Sequence, residues 1–316
     1  MSFQPLLRVN DLHVKFDLGN SSVKAVDGVD LEIRKSETLG LIGESGSGKS
    51  ILGLSILKLL PPNAEVNGKV WFGGTNLAGS SEEDIRKIRG REVAWIPQDP
   101  ATSFNPVLKI GFQIAEPMVL HISLDKIQAR QKVTELLQFF DIQPAGERVD
   151  QYPYQYSGGM KQRALVAMGT STRPKLLIAD EPTKGVDNFR KNQIAFIFKK
   201  VKNENKELSI LLITHDLPFA RALCERVAVM YCGKIVEITS AEAFFKAPLH
   251  PYGAALLKSL PGNGMESIPG EVPSMISPPG GCRFHPRCRY AEAKCRYAEP
   301  PLLALNGAMV RCWQYA

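Results

Sequence analysis

From Leu7 the apolar residues fall at near-alternate positions, Leu7, Val9, Leu12, Val14 and Phe16, the rhythm of a half-buried strand. VDLEI at 29–33 alternates cleanly and predicts an antiparallel partner for it. At 39–43 the alternation gives way to an unbroken apolar run, LGLIG, which suits a strand buried on both faces, as in a parallel sheet. A Gly/Ser loop follows, and ILGLSILKLL at 51–60 predicts a helix. VAWIPQ (93–98), LLIA (176–179) and ILLIT (210–214) repeat the buried-strand pattern, and VAVMY (227–231) and KIVEI (234–238) complete it. Between 100 and 160 the period changes. In KIQARQKVTELLQFF (126–140), Ile127, Val133, Leu136, Leu137 and Phe140 fall on one helical face, and MKQRALVAMG at 160–169 predicts a further helix. The expectation is an α/β fold over 1–250: a mostly parallel sheet with an antiparallel β flank and a helical subdomain inserted at about 100–165.

Residues 251–316 read differently. Ten prolines fall within 248–301, which disfavours long helices and central strands. Four of the six cysteines, Cys282, Cys288, Cys295 and Cys312, lie in this stretch, so a small tail held by something other than a core is expected. Cys224 and Cys232 fall in an expected helix and strand and read as buried structural residues. LHPYGAALL (249–257) is amphipathic, fitted to pack the tail on the main domain or to meet a partner subunit.

The net charge of +7 arises from scattered Lys and Arg, without a long cationic block or an aromatic-interleaved basic patch, so no nucleic-acid partner is expected. No apolar run approaches the ~18–20 residues that span a bilayer, and the first residues lack the pattern of a secretory signal. A cytoplasmic chain is expected, and any work at a membrane would be done by docking on a spanning partner.

Gly43, Gly48, Lys49 and Ser50 match the G-x-x-x-x-G-K-[ST] phosphate loop, between a buried strand and a helix as that motif requires. Glycines let consecutive amides converge on phosphate oxygens, and the helix N-terminus adds partial positive charge. The stretch Gly43, Glu44, Ser45, Gly46, Ser47, Gly48, Lys49, Ser50 and Ile51 is the candidate ATP cradle, with Lys49 on the β and γ phosphates and Ser50 on Mg²⁺. Asp180 and Glu181 end an apolar strand, where one carboxylate can orient Mg²⁺ through its water and the next can polarise the attacking water.

GESGSGKS is followed in order by IPQDP (96–100), YSGGMKQR (156–163), LLIADEPT (176–183), GVD (185–187) and ITHD (213–216). That series resembles the nucleotide-binding domain of ABC transporters over roughly 5–250. The resemblance implies that Gln98 senses Mg²⁺ and the γ-phosphate beside the membrane-subunit contact, and that His215 holds the γ-phosphate and the attacking water. It implies that Ser157, Gly158 and Gly159 close over ATP held by a second subunit, that Asp187 crosses to that subunit, and that Phe16 stacks on adenine. Tyr156, Lys161, Lys184 and Gly185 depart from the family pattern near the subunit seam.

WIPQDPATSFNPVLKIGFQI (95–114), LHPYGAALLKSLP (249–261) and CRFHPRC (282–288) are similar to the oligopeptide/dipeptide permease branch, which includes nickel importers, and within it to the D-type ATPase subunits of dipeptide permeases. What the branch implies is an ATP-hydrolysing importer subunit at the cytoplasmic face of the membrane. It would pair with a second, non-identical ATPase beneath two membrane permease subunits, fed by an extracytoplasmic solute-binding protein. A nickel importer, a soluble ABC-type ATPase of DNA repair or translation, and a metal-binding regulator on a vestigial nucleotide fold are the competing readings. Four thiolates suit Zn²⁺ or a [4Fe–4S] cluster, with unmetallated thiols or disulfides as the remaining possibilities. The branch resemblance implies the cluster on Cys282, Cys288, Cys295 and Cys312, with His285 as a polar loop residue.

Overall fold

A computed structural model describes residues 4–316, apart from the side chain of Asn188. The strands in chain order are β1 (Leu7–Asp17), β2 (Ser22–Ile33), β3 (Thr38–Ile42), β4 (Ala64–Phe72), β5 (Thr75–Asn76), β6 (Val93–Ile96), β7 (Leu176–Asp180), β8 (Ser209–Thr214), β9 (Arg226–Tyr231), β10 (Lys234–Ser240), β11 (Leu303–Leu305) and β12 (Ala308–Val310). The chain clusters into two compact units, Met1–Ser80 with Ile213–Ala316, and Ser81–Leu212.

In the first unit an antiparallel sheet runs β2-β1-β4-β5. β1 pairs with β2 as the alternation predicts, but β2 begins earlier than the predicted 29–33. The register shifts between Val9 and Leu12, where Asp11 takes φ 44. Gly68 of β4 faces that bulge, and a Cβ there would sit 2.4 Å from Asp11 O, so the close approach requires glycine. β4 itself was not predicted, because most of its residues are exposed and it lacks an apolar alternation until Val70 and Phe72.

The same unit carries strands in the order β11-β12-β10-β9-β3. β3 is buried throughout and pairs in parallel with β9, as the LGLIG run requires. β9 and β10 form a hairpin whose turn residues Cys232 and Gly233 both have positive φ, 45 and 79. Cys232 therefore lies in a turn and not on a strand, and Cys224 follows the helix Leu217–Leu223 as its C-cap; both are buried, as expected.

The tail shares this unit's core. β12 pairs with β10 through Glu237↔Val310 and Ile238↔Met309. Tyr252, on the helix Pro251–Lys258, packs its ring against Tyr231 and Phe284, with centroids 4.5 and 5.4 Å away. The expectation of a tail without a core is thus corrected: its prolines bound short elements, two of whose aromatic residues, Tyr252 and Phe284, are buried against Tyr231 of β9.

His250 caps the helix Pro251–Lys258, its Nδ1 accepting from Tyr252 N at 3.0 Å. Burial pulls its imidazole down to about 3, so it stays neutral in the folded chain. The unfolded chain binds a proton there below about 6.5, so this group lowers stability as pH falls through that value, by up to about 1.4 kcal/mol per pH unit. Burial raises the neighbouring Glu237 carboxyl, although it accepts from the amides of Leu249 and His250; it acts in the opposite sense and offsets part of the loss. In His250→Asn, which keeps a capping acceptor, the urea midpoint should fall less steeply from pH 7 to 5 than in wild type. Parallel profiles would remove His250 from the acid response.

In the second unit, which takes β8 as far as Leu212, β8, β7 and β6 lie in that order, and β6 pairs in parallel with β7. All five residues of β7 are buried. Helices Ile110–Ile122, Lys126–Phe139 and Gly158–Thr170 fill the region predicted as helical. An Asp125/Gln128 capping box starts the second. Ala129, Val133 and Leu137, spaced by four, form its buried stripe. Ile127 is 82 % exposed, which corrects its predicted place on that face: two residues from Ala129, it points to the opposite side.

Candidate functional site

The loop between β3 and the helix Lys49–Ile56 is built on two glycines that the chain's own backbone demands. Gly43 has φ 155, and a Cβ there would lie 2.2 Å from Met230 O. Gly48, the N-cap of that helix, has φ 102, and a Cβ would lie 2.2 Å from Ala25 O. Gly46, at φ 78, turns the tip in open space. Lys49 is buried and its Nζ donates to Gly43 O and Glu44 O, each at 2.9 Å, and to Ser47 Oγ at 3.4 Å. The ammonium is thereby folded into the loop's concavity, where an anion would share it. Ser50 and Ile51 open the helix behind it and Ser45 is exposed at the rim. Phe16 is half-buried on β1, opposite Val23 and Ala64. His215 is exposed, directly after β8 and ahead of Asp216, which caps the next helix through Phe219 N at 3.0 Å.

The second unit holds the other candidates. Gln98 is half-buried in the bend after β6, ahead of a short helix capped by Asp99. Asp180 ends β7, and Glu181 follows it, buried and at φ 46, a left-handed conformation that strains a side chain such as Glu. The Lys184 amide closes this turn on Glu181 O at 3.0 Å, and Gln162 Nε2 donates to Pro182 O at 2.8 Å. Gln162 belongs to the helix Gly158–Thr170, so the helix capped by Ser157 buttresses the acidic turn. Ser157 Oγ accepts from Met160 N at 3.3 Å. Ser157, Gly158 and Gly159 line a groove with Arg163 and Arg190, a setting suited to an anion at a helix N-terminus. Asp187 caps the helix Asn188–Glu204 through Arg190 N at 3.0 Å. Tyr156, one of the departures from the family pattern, is buried and donates its hydroxyl to Arg148 O at 2.8 Å, so it fills its place structurally.

Cys282, Cys288, Cys295 and Cys312 line one cavity with Phe284 and Trp313 and form no disulfide. Burial pushes the Cys282 thiol up to about 11 and raises Cys288 and Cys312 as well. Among the described residues, no three His, Cys, Asp or Glu side chains are grouped so as to hold a metal ion. His285 Nδ1 lies 2.9 Å from Cys282 O.

Three residues were not singled out from the sequence. Arg287 forms a two-pronged pair with the Glu44 carboxylate at 2.8 and 3.2 Å. Tyr252 accepts from Glu44 N at 2.8 Å. Arg283 pairs with Asp27 and donates to Cys232 O in the hairpin turn, whose Gly233 N donates to Ser47 O at 2.9 Å. Burial alone would raise the Asp27 carboxyl, but Lys234, Arg283 and His13 prevail and hold it below the usual range. The available signal was two arginines inside CRFHPRC, a compact stretch otherwise rich in apolar and sulfur side chains.

Residues 26–184 match the family model described as ABC transporter, and residues 236–295 match that described as oligopeptide/dipeptide transporter, C-terminal region. The chain is 43 % identical to the oligopeptide transport ATP-binding protein AppD of Bacillus subtilis, covering 98 % of this chain and 97 % of that protein. It is 40 % identical to the dipeptide transport ATP-binding protein DppD of the same organism (98 % and 95 % covered) and 38 % identical to the oligopeptide transport ATP-binding protein OppD of Escherichia coli (98 % and 93 %). A solved structure of the ATP-binding cassette MJ0796, a dimer bound to ADP and Pi, superposes with a TM-score of 0.67 at 23 % identity, over 74 % of this chain and 98 % of that one, a likeness of fold.

Proposed function

Because this chain belongs to the ABC transporter family, in its oligopeptide/dipeptide transporter branch, we propose that it is the ATP-hydrolysing subunit of a di- or oligopeptide importer. The observation that carries the reading is a contrast between two sets of glycines. Gly43 and Gly48 are imposed by this chain's own backbone, whereas a Cβ on Gly158 or Gly159 meets nothing within 4 Å. Those two glycines, beside a helix N-terminus and two arginines, keep space for a group from outside the chain, which fits ATP held by a second subunit.

In this reading the loop amides and Lys49 hold the β and γ phosphates, while Ser50, Gln98 and Asp180 serve Mg²⁺. Glu181 polarises the attacking water and His215 orders it on the γ-phosphate. Phe16 stacks on adenine. Ser157, Gly158, Gly159 and Asp187 act on the second subunit's nucleotide. ATP then joins two ATPase subunits and hydrolysis parts them, which biases the membrane subunits between two states.

No helix among the described residues is long and apolar enough to cross a membrane. As the ATPase subunit of an importer, the chain works peripherally at the cytoplasmic face, docked on its spanning permease partners. The names of the relatives favour peptide over nickel as cargo. Reconstituted with its second ATPase, two permeases and a binding protein, the chain should hydrolyse ATP in a Mg²⁺-dependent way, faster when the binding protein carries peptide. Stimulation by DNA and not by the assembled permease would favour the soluble ATPase instead.

We propose a [4Fe–4S] cluster as a structural staple on Cys282, Cys288, Cys295 and Cys312, which share one cavity. The four soft donors line it together, and thiolates of this kind are the ligands such a cluster takes. Burial raises the thiols of Cys282, Cys288 and Cys312, and the positive charge of bound iron would offset that cost. Chain prepared without oxygen should carry about four irons and lose them in Cys288→Ser; an iron-free wild type sinks the cluster but not the transport reading.

A further inference from the structure

Arg287 is almost wholly buried, in the turn His285–Arg287 between two of the cysteines. Besides its pair with Glu44, Nη1 donates to Tyr231 Oη at 3.3 Å, Nε to Pro269 O at 2.9 Å and Nη2 to Ile268 O at 3.4 Å. The guanidinium is thus fixed within the tail and presents a two-pronged face to one carboxylate of the phosphate loop. Tyr252, also from the tail, takes the amide of the same residue. Glu44 is therefore gripped at its side chain and its main chain by residues more than two hundred positions away. Glu44 O is in turn one of the two carbonyls that hold Lys49 Nζ, and it accepts from Ser47 N at 3.3 Å.

A buried ion pair adds little stability over an apolar replacement of similar size, but it fixes geometry. The geometry fixed here is the peptide from Gly43 to Glu44 and, through its carbonyls, the Lys49 ammonium. We infer that Arg287 and Tyr252 are positioning residues of the nucleotide site, through which the Pro/Cys-rich tail holds the phosphate loop in the shape that receives a triphosphate. The inference rests on the loop binding ATP.

The test is Mg-ATP affinity of the full-length chain, read with a fluorescent ATP analogue, alongside the nucleotide-free melting temperature. Arg287→Ala should weaken binding on the order of tenfold, the loss of a charge-assisted pair, and Arg287→Lys should recover part of it. Tyr252→Phe, which frees the Glu44 amide, should weaken binding several-fold. In a Glu44→Ala background the Arg287→Ala step should cost less than twofold, because its partner is gone. A tenfold cost in both backgrounds overturns the inference, since Arg287 would then act through tail folding. If Arg287→Ala does not fold, Glu44→Gln carries the comparison at the loop's half-exposed side: several-fold weaker binding is expected, and unchanged binding overturns the inference. Wild-type chain that binds no Mg-ATP brings down the ATP reading itself, and this inference with it, an outcome distinct from equal binding by wild type and variants.

Discussion

Glu181→Gln should leave Mg-ATP binding within about threefold of wild type and slow turnover of the assembled transporter by about 10²–10⁴, the range of a lost general base. The turn that presents residue 181 is held at its main-chain carbonyls: Lys184 N donates to Glu181 O, and Gln162 Nε2 to Pro182 O. The amide side chain is nearly isosteric, so the strained φ of 46 and the buried placement persist in the variant. What disappears is the capacity to take a proton from water. Because ATP that is bound but not hydrolysed stabilises the pairing of two ATPase subunits by mass action, the variant should also hold the complex in its nucleotide-bridged state. Single-turnover phosphate release with parallel sizing of the complex reads both effects. Turnover at the wild-type rate would remove Glu181 from the chemistry.

The readability of this chain in its sequence follows the range of the interactions involved. The phosphate loop is legible because its constraint is local: Gly43 and Gly48 are spaced by the loop's own backbone, and their surroundings, Met230 O and Ala25 O, only reinforce it. β3, β7 and β8 were legible because strands covered on both faces must be apolar throughout. β4 was hidden because it is mostly exposed and offers no alternation. Ile127 misled because an apolar residue in the first turn of a helix satisfies a pattern without being covered. The pairing of Arg287 with Glu44 links positions 243 apart, and neither residue stands out by type. Two arginines in a proline-rich stretch read as solvated charge until the fold places them against β9 and the loop. The tail's integration is likewise a tertiary fact, since β11 and β12 are three residues each, β12 pairing with the edge of β10 and β11 with β12.

Replacement of Gly158 by Leu should separate the two ways a glycine can matter. Gly158 opens the helix Gly158–Thr170, with Ser157 as its cap, and a Cβ there meets no atom of the chain. Glycine is the poorer helix former by about 1 kcal/mol relative to alanine in a helix interior, so the isolated variant should melt no lower than wild type. Its own phosphate loop is untouched, so Mg-ATP affinity of the isolated chain should not move. Bulk at position 158 instead fills the groove shared with Arg163 and Arg190, and on the proposed reading would keep a second subunit's phosphates from the amides at the helix N-terminus. Turnover of the assembled transporter should fall on the order of a hundredfold, the loss expected when preorganised donors at a reacting phosphate are withdrawn. Gly158→Ala, which adds one methyl, should fall between the two. The same substitution in Gly48, whose Cβ would strike Ala25 O at 2.2 Å, has the opposite signature, since it damages nucleotide binding by the chain alone. If Gly158→Leu abolished ATP binding by the isolated chain, the groove would belong to this subunit's own nucleotide, and its proposed place over a second subunit's ATP would have to be given up.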